Sequence, residues 1–200
     1  MEPAANVGAA RARRMTLAEW ESLSEDEAGE LVDGRLEEEE GASFVHELIV
    51  VWLGSLLRAW LSPRGGFVFG SDAKYAVQPS RGRKPDLSVF LKGSKKPPAR
   101  GAARVPADIM IEVVTPTASD ERRDRLDKLH DYAAFGVRWY WIVDPEIRTL
   151  EIYELGSDGR YVHAAAAASG TLESVSGCEG LTVNLDALWA EVDELTALGE

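Results

Sequence analysis

Apolar and polar residues recur with two different periods along this 200-residue chain, and each change of period marks a predicted element boundary. The segment that starts at Met15 is typical of a short helix with Thr16 as its N-cap. Asp33-Gly34 separates two alternating runs within 30–39, which predicts a β-hairpin. From 44 to 61 the apolar positions follow a helical period, so we expect a long helix with one buried face.

The middle of the chain changes to strand periodicity after Gly65-Gly66. The short apolar runs FVFG, AKYAV and DLSVF predict three strands. The segment 91–106 is rich in Lys, Pro, Gly and Ala, and we interpret it as a mobile connection. DIMIEVV, which begins at Asp108, is almost entirely apolar, as expected for a central strand that is covered on both faces.

The last third of the chain predicts a helix followed by further strands. The helix is expected from about Ser119 to Phe135, with Gly136 as its stop signal. WYWIVD reads as the next strand, TLEIYEL and RYVHAAAAA form a hairpin, and NLDALWAEVDEL is a final amphipathic helix. This order predicts an α/β (α+β) domain with one mixed sheet over 15–200, preceded by a flexible tail at 1–14.

Composition narrows the class of protein. An apolar content of 45% is enough for a core. The single cysteine, Cys178, excludes a disulfide framework and a cysteine-based zinc site, which fits a reducing cytoplasm. The apolar helix at 44–61 contains His46, Glu47 and Arg58, so we interpret it as a core helix and expect no membrane span.

Charge is unevenly distributed along the chain. The net charge of −12 argues against non-specific binding of nucleic acid by the whole surface. Residues 19–40 contain 11 acids and one base, whereas residues 81–104 contain eight bases and one acid, Asp86. The basic strip is compatible with a phosphate-bearing partner, and equally with a solvated loop.

Two carboxylates stand out against their apolar surroundings. Glu112 lies within a run of apolar residues, where an ionised carboxylate is costly unless it is paired or bound to a metal. It either contributes to such a site, points into water from a strand end, or forms a buried ion pair. Asp86 follows Pro85, which alone is ordinary turn chemistry. If adjacent strands bring both acids together, two hard oxygen ligands suit Mg²⁺ or Mn²⁺.

Lys128 lies at the edge of the apolar face of the helix that follows Glu112. A lysine in this position can lie along the core surface and direct its ammonium group into a cleft. The alternative is a surface lysine with no such role.

Five motifs resemble one known family. RKPDLSVF, IMIEVVTPT and DKLHDYAAFGVRWYWIVDP, with the hairpin ELVDG and His46 near the start of the long helix, are similar to the putative restriction endonuclease family of the PD-(D/E)XK nuclease superfamily. The resemblance runs from about Met15 to Tyr161. It implies a restriction-endonuclease-like core of αβββαβ type, in which helices flank a mixed central sheet.

The resemblance also implies catalytic roles. Asp86 stands at the metal-binding aspartate of the superfamily, and Glu112 stands at its (D/E) position. Lys128 matches a variant in which the catalytic lysine lies on the neighbouring helix. Glu30 matches a further acidic position that helps to hold the metal or a water. His46 matches a family histidine near the cleft, where it either contacts the Glu30 region or is a hydrogen-bonded core residue.

Two positions depart from the family pattern. Val114 stands where the strand motif usually has its lysine, and Trp139 replaces a glutamate that usually follows the helix. If that glutamate orients Lys128 or a water, we expect impaired chemistry. If it faces solvent, the replacement changes nothing.

The implied activity is metal-dependent hydrolysis of phosphodiester bonds in nucleic acid, with DNA favoured as substrate. Asp86 and Glu112 would hold Mg²⁺ or Mn²⁺, with the carbonyl of Val113 as a third ligand. Superfamily nucleases often work as dimers, so we also expect a homodimer. The side chains predicted to hold the nucleic-acid backbone are basic: Arg81, Arg83, Lys84, Lys95, Lys96, Arg122 and Arg125.

Two alternatives belong to other classes of function. Val114 and Trp139 favour a catalytically degenerate module that keeps the nuclease fold for interaction with nucleic acid or protein. A structural dimer without a nucleic-acid role is the other alternative, in which aromatic residues form the interface. Those residues are Trp60, Trp139, Tyr140 and Trp141, and membership of the core is their more ordinary interpretation.

Overall fold

The structure, a computed structural model, describes residues 14–24, 29–37, 43–115, 122–173 and 175–197. The predicted tail lies outside the described residues except for Arg14, as does the expected helix start at Ser119. The strands are β1 Glu30–Val32, β2 Arg35–Glu37, β3 Gly66–Phe69, β4 Tyr75–Gln78, β5 Arg81–Arg83, β6 Leu87–Leu91, β7 Ile109–Val113, β8 Trp139–Asp144, β9 Thr149–Leu155, β10 Tyr161–Ala167, β11 Thr171–Glu173 and β12 Thr182–Asn184.

Helices follow the predicted positions closely. Thr16 caps the short first helix in a capping box with Glu19, as its sequence predicts. Gly136 ends the helix after β7 with a left-handed backbone, φ 92°. The helices are α1 Leu17–Glu21, α2 Phe44–Leu61, a π-helical segment Arg123–Lys128 that continues as α3 Leu129–Phe135, and α4 Leu185–Ala197.

A six-stranded mixed sheet forms the centre, in the order β10-β9-β8-β7-β6-β3. The pair β7–β8 is parallel, and the other neighbouring pairs are antiparallel. The parallel pair needs a crossover, which the π-helical segment and α3 provide. The sequence of α2, β3, β6, β7, α3 and β8 confirms the predicted αβββαβ core.

The central strands are buried on both faces, as the apolar run DIMIEVV predicts. Ile109, Ile111 and Val113 face one apolar cluster, which α2 and α4 complete. Met110 and Val114 face a second cluster, to which Tyr132 of α3 belongs. Side chains alternate between faces with period two, so Glu112 points to the second side, toward α3.

The prediction of a single sheet is wrong. A four-stranded antiparallel sheet, β2-β1-β5-β4, packs beside α3, and β11 and β12 pair separately. The sequence offered no apolar signal for β5, because this strand reads Arg81-Gly82-Arg83. The connection at 91–106 is also anchored, since Ala103 is buried and exchanges backbone hydrogen bonds with Lys74 and Ala76.

By length and composition alone, α2 could cross a membrane, which is weak evidence because core helices pass the same test. One of its faces is buried against the sheet through Ile49, Leu53, Leu57 and Leu61. The opposite side exposes Phe44 and Val51. The absence of a membrane association stays an expectation.

Candidate active site

Asp86 and Glu112 lie opposite each other on neighbouring antiparallel strands. Leu87 of β6 pairs with Ile111 of β7, so the residue before Leu87 lies across from the residue after Ile111. Both carboxylates are buried, with exposures of 6% and 1%. Glu112 is bonded from the α3 side of the sheet, whereas Asp86 is bonded by His46 of α2. The predicted approach of the two acids through adjacent strands is therefore present in the fold.

Asp86 is fixed by two donors. The backbone N–H of Val113 donates to its Oδ2 at 2.7 Å, and His46 Nε2 lies 3.2 Å from the same oxygen. His46 projects from the first turn of α2, where its other ring nitrogen lies 3.5 Å from Glu47. His46 thus contacts Asp86 and not the Glu30 region, which corrects one of the two interpretations above.

Burial lowers the pKa of His46, but the hydrogen bond to Asp86 and the charges of Asp86 and Glu47 outweigh this effect. The net result is a pKa above the ordinary histidine value of 6.5. A protonated imidazole is accordingly favoured beside the Asp86 carboxylate.

Glu112 is held by two side chains of the helix that covers it. Lys128 donates from Nζ to one carboxylate oxygen at 2.9 Å, and the Tyr132 hydroxyl donates to the other at 2.5 Å. Tyr132 is fully buried, and burial followed by the Glu112 charge raises its pKa well above 10. Lys128 is only 1% exposed, so it is not a surface lysine.

Lys128 is the last residue of the π-helical segment, and its ammonium group lies near three carboxylates. Besides Glu112, its ammonium lies 3.1 Å from Asp124 and 3.9 Å from Glu30. Single π-helical turns occur frequently at functional sites, where they place side chains that a regular helix would displace. The strand motif has Val114 in place of its usual lysine, and Lys128 of the neighbouring helix contacts Glu112 instead.

A second ion network supports Glu30. Arg83 Nη1 donates to Glu30 at 2.7 Å, and the Lys84 backbone N–H donates to its other oxygen at 2.7 Å. The far side of the Arg83 guanidinium binds Asp131 of α3 at 2.6 to 2.8 Å. Asp131 also accepts from Arg81 at 2.9 Å. Glu30 is thus fixed between the four-stranded sheet and α3.

We call the set Glu30, Asp86, Glu112, Asp124 and Asp131 the acid cluster. Each member is at most 6% exposed, and the cluster's fully buried permanent cations are Arg83 and Lys128. Closely placed carboxylates are the kind of group that holds a hard divalent cation.

Within the described residues, no three His, Cys, Asp or Glu side chains are already grouped to hold a metal ion. Lys128, Tyr132 and a backbone N–H engage oxygens of Asp86 and Glu112. The donor chemistry nevertheless fits Mg²⁺ or Mn²⁺, since two carboxylates lie across from each other where neighbouring strands pair. The Val113 carbonyl stays a predicted third ligand.

The basic residues predicted to bind nucleic acid do not form one strip. Arg83 is fully buried in the ion network, so it is not exposed to contact a nucleic-acid backbone as predicted. Arg81 and Lys84 are partly exposed near the acid cluster, and both bind carboxylates. Lys95 and Lys96 are exposed beyond the opposite end of β6.

Two further predicted arginines lie near the helix that covers Glu112. Arg122 is exposed at the start of the π-helical segment. Arg125 is partly exposed and binds Asp144 and Glu151 at 2.8 and 2.6 Å. A role in holding nucleic acid stays a prediction for both.

Trp139 lies far from the acid cluster. Parallel pairing places it beside Ile109, whereas Glu112 pairs with Ile142 three positions further along β8. At ~3.3 Å per residue this separation is about 10 Å along the strands. The replacement of the usual glutamate by Trp139 therefore removes no group from the acid cluster.

Sequence reasoning missed three residues of the site: Asp124, Asp131 and Tyr132. The first and the last are spaced four residues on either side of Lys128, and i, i+4 neighbours share a helix face. That spacing is a signal that could have identified them. Asp131 carried no such signal, because its partner Arg83 comes from a strand 48 residues away.

Comparisons with known proteins show the family and the fold of this chain. A family model described as Uma2, putative restriction endonuclease, matches residues 16–188. A crystal structure of a putative nuclease belonging to DUF820 from Anabaena variabilis ATCC 29413 is similar, with a TM-score of 0.69 and 18% identity. The match covers 88% of this chain and 98% of that chain, and at this identity it shows the fold alone. No curated protein matches the chain.

Proposed function

This chain belongs to the Uma2 family of putative restriction endonucleases, and from that premise we propose that it hydrolyses phosphodiester bonds of nucleic acid in a metal-dependent reaction. The family membership confirms the resemblance found in the sequence. The single observation that carries the proposal is the placement of Asp86 across from Glu112 on neighbouring strands, with Lys128 bonded to Glu112. DNA is the substrate that we favour.

Asp86 and Glu112, with the Val113 carbonyl, are the groups that would hold Mg²⁺ or Mn²⁺. When bound there, the ion would supply positive charge to the scissile phosphate and lower the pKa of a water. The residues of the chain do the rest: β6 and β7 orient the two carboxylates, and Tyr132 fixes the rotation of the Glu112 carboxylate.

Lys128 supplies a fixed positive charge within the buried cluster. Its ammonium already lies 2.9 Å from Glu112, in surroundings that exclude most water, where a charge acts more strongly than at the surface. We assign it the role of binding a phosphoryl oxygen or orienting the attacking water. Glu30 and Asp124 position this ammonium, and Glu30 is our candidate for a supporting or base role.

The test is nicking of supercoiled plasmid with Mg²⁺ or Mn²⁺ by wild type and by Asp86→Asn. We expect the variant to be slower by at least about 100-fold, as for removal of other groups that stabilise a transition state. Asp158→Asn is the matched control, because Asp158 is exposed in the turn between β9 and β10 and the same change should leave nicking unaffected. Equal nicking by wild type and Asp86→Asn would contradict the proposal.

A degenerate nuclease-fold module is the second candidate function. It is favoured by Val114 and by the engagement of both Glu112 oxygens with Lys128 and Tyr132. Calorimetric titration with Mn²⁺ separates the two functions. If the wild-type protein binds Mn²⁺ and Asp86→Asn abolishes this binding, the nuclease is supported. If the wild-type protein binds no Mn²⁺, with or without an oligonucleotide, the module is supported.

We also propose a cytoplasmic homodimer. The chain has one cysteine, Cys178, whose thiol is buried and forms no disulfide, and this suits a reducing compartment. Multi-angle light scattering on the purified chain tests the dimer, and a monomeric mass at micromolar concentration would refute it.

A further inference from the structure

The end of the central sheet opposite the acid cluster is basic, although the chain has a net charge of −12. Arg64 follows α2, Lys92 follows β6, and Arg138 precedes β8, so all three come from the same end of the layers. Lys96 lies in the loop after β6. We call these four cations, with the rings of Trp60, Phe67 and Trp139, the basic end.

Two adjoining depressions form this surface. One has a volume of about 560 Å³, and Trp60, Arg64, Lys92 and Arg138 are among its lining residues. The other has a volume of about 480 Å³ and is also lined by Arg64 and Lys92, together with Phe67 and Lys96. Because they share Arg64 and Lys92, the depressions form one continuous surface large enough for more than one phosphate group.

Three of the four cations of the basic end lie over aromatic rings. The Arg64 guanidinium lies 5.1 Å from the centre of the Trp60 ring, and the Arg138 guanidinium lies 4.4 Å from that of Trp139. The Lys96 ammonium lies 5.1 Å from the Phe67 ring. Arg64 Nη1 also donates to the Trp60 backbone carbonyl at 2.8 Å, which fixes the side chain further. A guanidinium held in this way loses little conformational freedom when its remaining N–H groups bind phosphate.

Few acids neutralise these cations. Within the part of the chain that the structure describes, neither Arg64 nor Lys92 forms a salt bridge. Arg138 lies 3.5 Å from Glu154, a distance at which the pair is weak in an exposed position. Glu179 also lines the larger depression. Four cations face two carboxylates, so the surface attracts anions.

We propose that the basic end binds the phosphate backbone of a nucleic acid at a second position, about one strand length from the acid cluster. The choice of nucleic acid as the polyanion rests on the proposed function. The separation is ~13 Å, from four steps of ~3.3 Å along β7. Because a nucleic acid is a polymer, one molecule can contact both ends of the sheet, and two linked contacts bind more tightly than either alone.

The experiment measures binding of a fluorescent single-stranded oligonucleotide by anisotropy in EDTA, without metal, over a range of salt. We compare wild type with Arg64→Ala/Lys92→Ala. The matched control is Arg104→Ala/Arg148→Ala, which removes two exposed arginines that are paired with Glu21 and Asp193. Far-UV circular dichroism and thermal melting establish that each variant is folded, and the single charge reversal Lys92→Glu is a second variant.

Arg64→Ala/Lys92→Ala is expected to weaken binding about tenfold at low salt and to reduce the slope of log K against log salt by ~1.4, at ~0.7 per phosphate contact. The control double variant should keep the wild-type slope. Unchanged affinity and slope in both Arg64→Ala/Lys92→Ala and Lys92→Glu would overturn the proposal.

An anionic membrane is the competing polyanion. Loss of binding to phosphatidylserine vesicles without loss of oligonucleotide binding would assign the basic end to a lipid surface and overturn the proposal. Asp86→Asn distinguishes the two functions, because it should slow nicking at least about 100-fold while Arg64→Ala/Lys92→Ala still weakens binding in EDTA about tenfold in its background. Binding that depends on the basic end in a protein that nicks no plasmid would contradict the nuclease alone.

Discussion

Arg83 joins two carboxylates that come from different elements, Glu30 of β1 and Asp131 of α3. Its guanidinium is fully buried, and its three contacts to these acids range from 2.6 to 2.8 Å. Burial lowers its pKa, but the charges of Glu30 and Asp131 outweigh this effect and raise the pKa far above that of a free arginine. The cluster therefore keeps this positive charge at every physiological pH.

Arg83→Met is expected to destabilise the protein by about 3–5 kcal/mol, because two buried carboxylates would lose their common partner. Arg81→Met is the control, because Arg81 also pairs with Asp131 but is partly exposed. We expect this variant to lose no more than about 1 kcal/mol of the free energy of unfolding. Urea denaturation of both variants measures the difference. Equal losses would show that burial does not distinguish the two arginines.

Tyr132→Phe removes one hydroxyl and with it one buried hydrogen bond to Glu112. We expect a loss of about 1–3 kcal/mol in the free energy of unfolding, the contribution of a hydrogen bond to a charged group. Tyr153→Phe, which removes a partly exposed hydrogen bond to Glu151, should cost less. Urea denaturation tests this ranking, and the reverse order would refute the orienting role assigned to Tyr132.

Single residues of the candidate site could be predicted to a useful extent. Glu112 was recognisable because a charge in an apolar strand needs a partner, and Asp86, Lys128, Glu30 and His46 followed from motif positions. The structure brings all five together, and their catalytic roles stay predictions. The partners of these residues could not be predicted, since ion pairs such as Arg83 with Asp131 depend on how the second sheet packs against α3.

Among the elements, β5 is the one that has least room for variation. Gly82 lies at its centre, and a Cβ atom added there would lie 2.3 Å from the ring of Trp20. Trp20 is fully buried, so α1 packs its indole directly on the backbone of β5. The neighbours of Gly82, Arg81 and Arg83, then point toward the ion network.

Gly82→Ala is expected to destabilise the protein by at least about 1–3 kcal/mol, the usual cost of overpacking. Gly70→Ala is the matched control, because a Cβ at Gly70 would meet nothing within 4 Å, and its effect should stay within about 0.5 kcal/mol. Thermal melting followed by circular dichroism measures both. A Gly82→Ala protein as stable as the control would disprove the close packing of Trp20.

The helices and strands with a clear apolar period were predicted correctly, whereas the strand that depends on ion pairs was not. The long helix α2, the strand β7 and the hairpin of β9 and β10 have clear apolar patterns, and they lie where the sequence predicts them. β5 has no apolar side chain, so its place in a sheet depends on the ion pairs of Arg83 with buried carboxylates. No pattern within a local window contains that information.

At the scale of the whole molecule, several weak acids are buried in their protonated forms. Burial raises the pKa of Cys178 to about 12 and also that of Tyr75 to about 12. Burial likewise raises the pKa of Tyr132, Tyr140 and Tyr161 well above 10. In the unfolded chain these groups lose their protons near the ordinary values of 9.0 and 10.0.

Above pH 9 the folded state therefore binds more protons than the unfolded state, and the free energy of unfolding must fall as pH rises toward about 12. Each group contributes up to ~1.4 kcal/mol per pH unit. Urea denaturation at pH 8, 10 and 11 measures the decline, and Tyr75→Phe should reduce it. Tyrosinate absorbance that develops near pH 10 while the protein is still folded would contradict this prediction.

The acid cluster also has a consequence for synthesis on the ribosome. Its members extend along the chain from Glu30 to Asp131, and Lys128 comes from a helix that forms only after β7. A protein is synthesised from its N-terminus, so its early segments cannot pack against later ones until those have been made. The nascent chain thus carries Glu30 and Asp86 long before Lys128 emerges, so the proposed nuclease would be harmless to its own messenger and to ribosomal RNA throughout most of its translation.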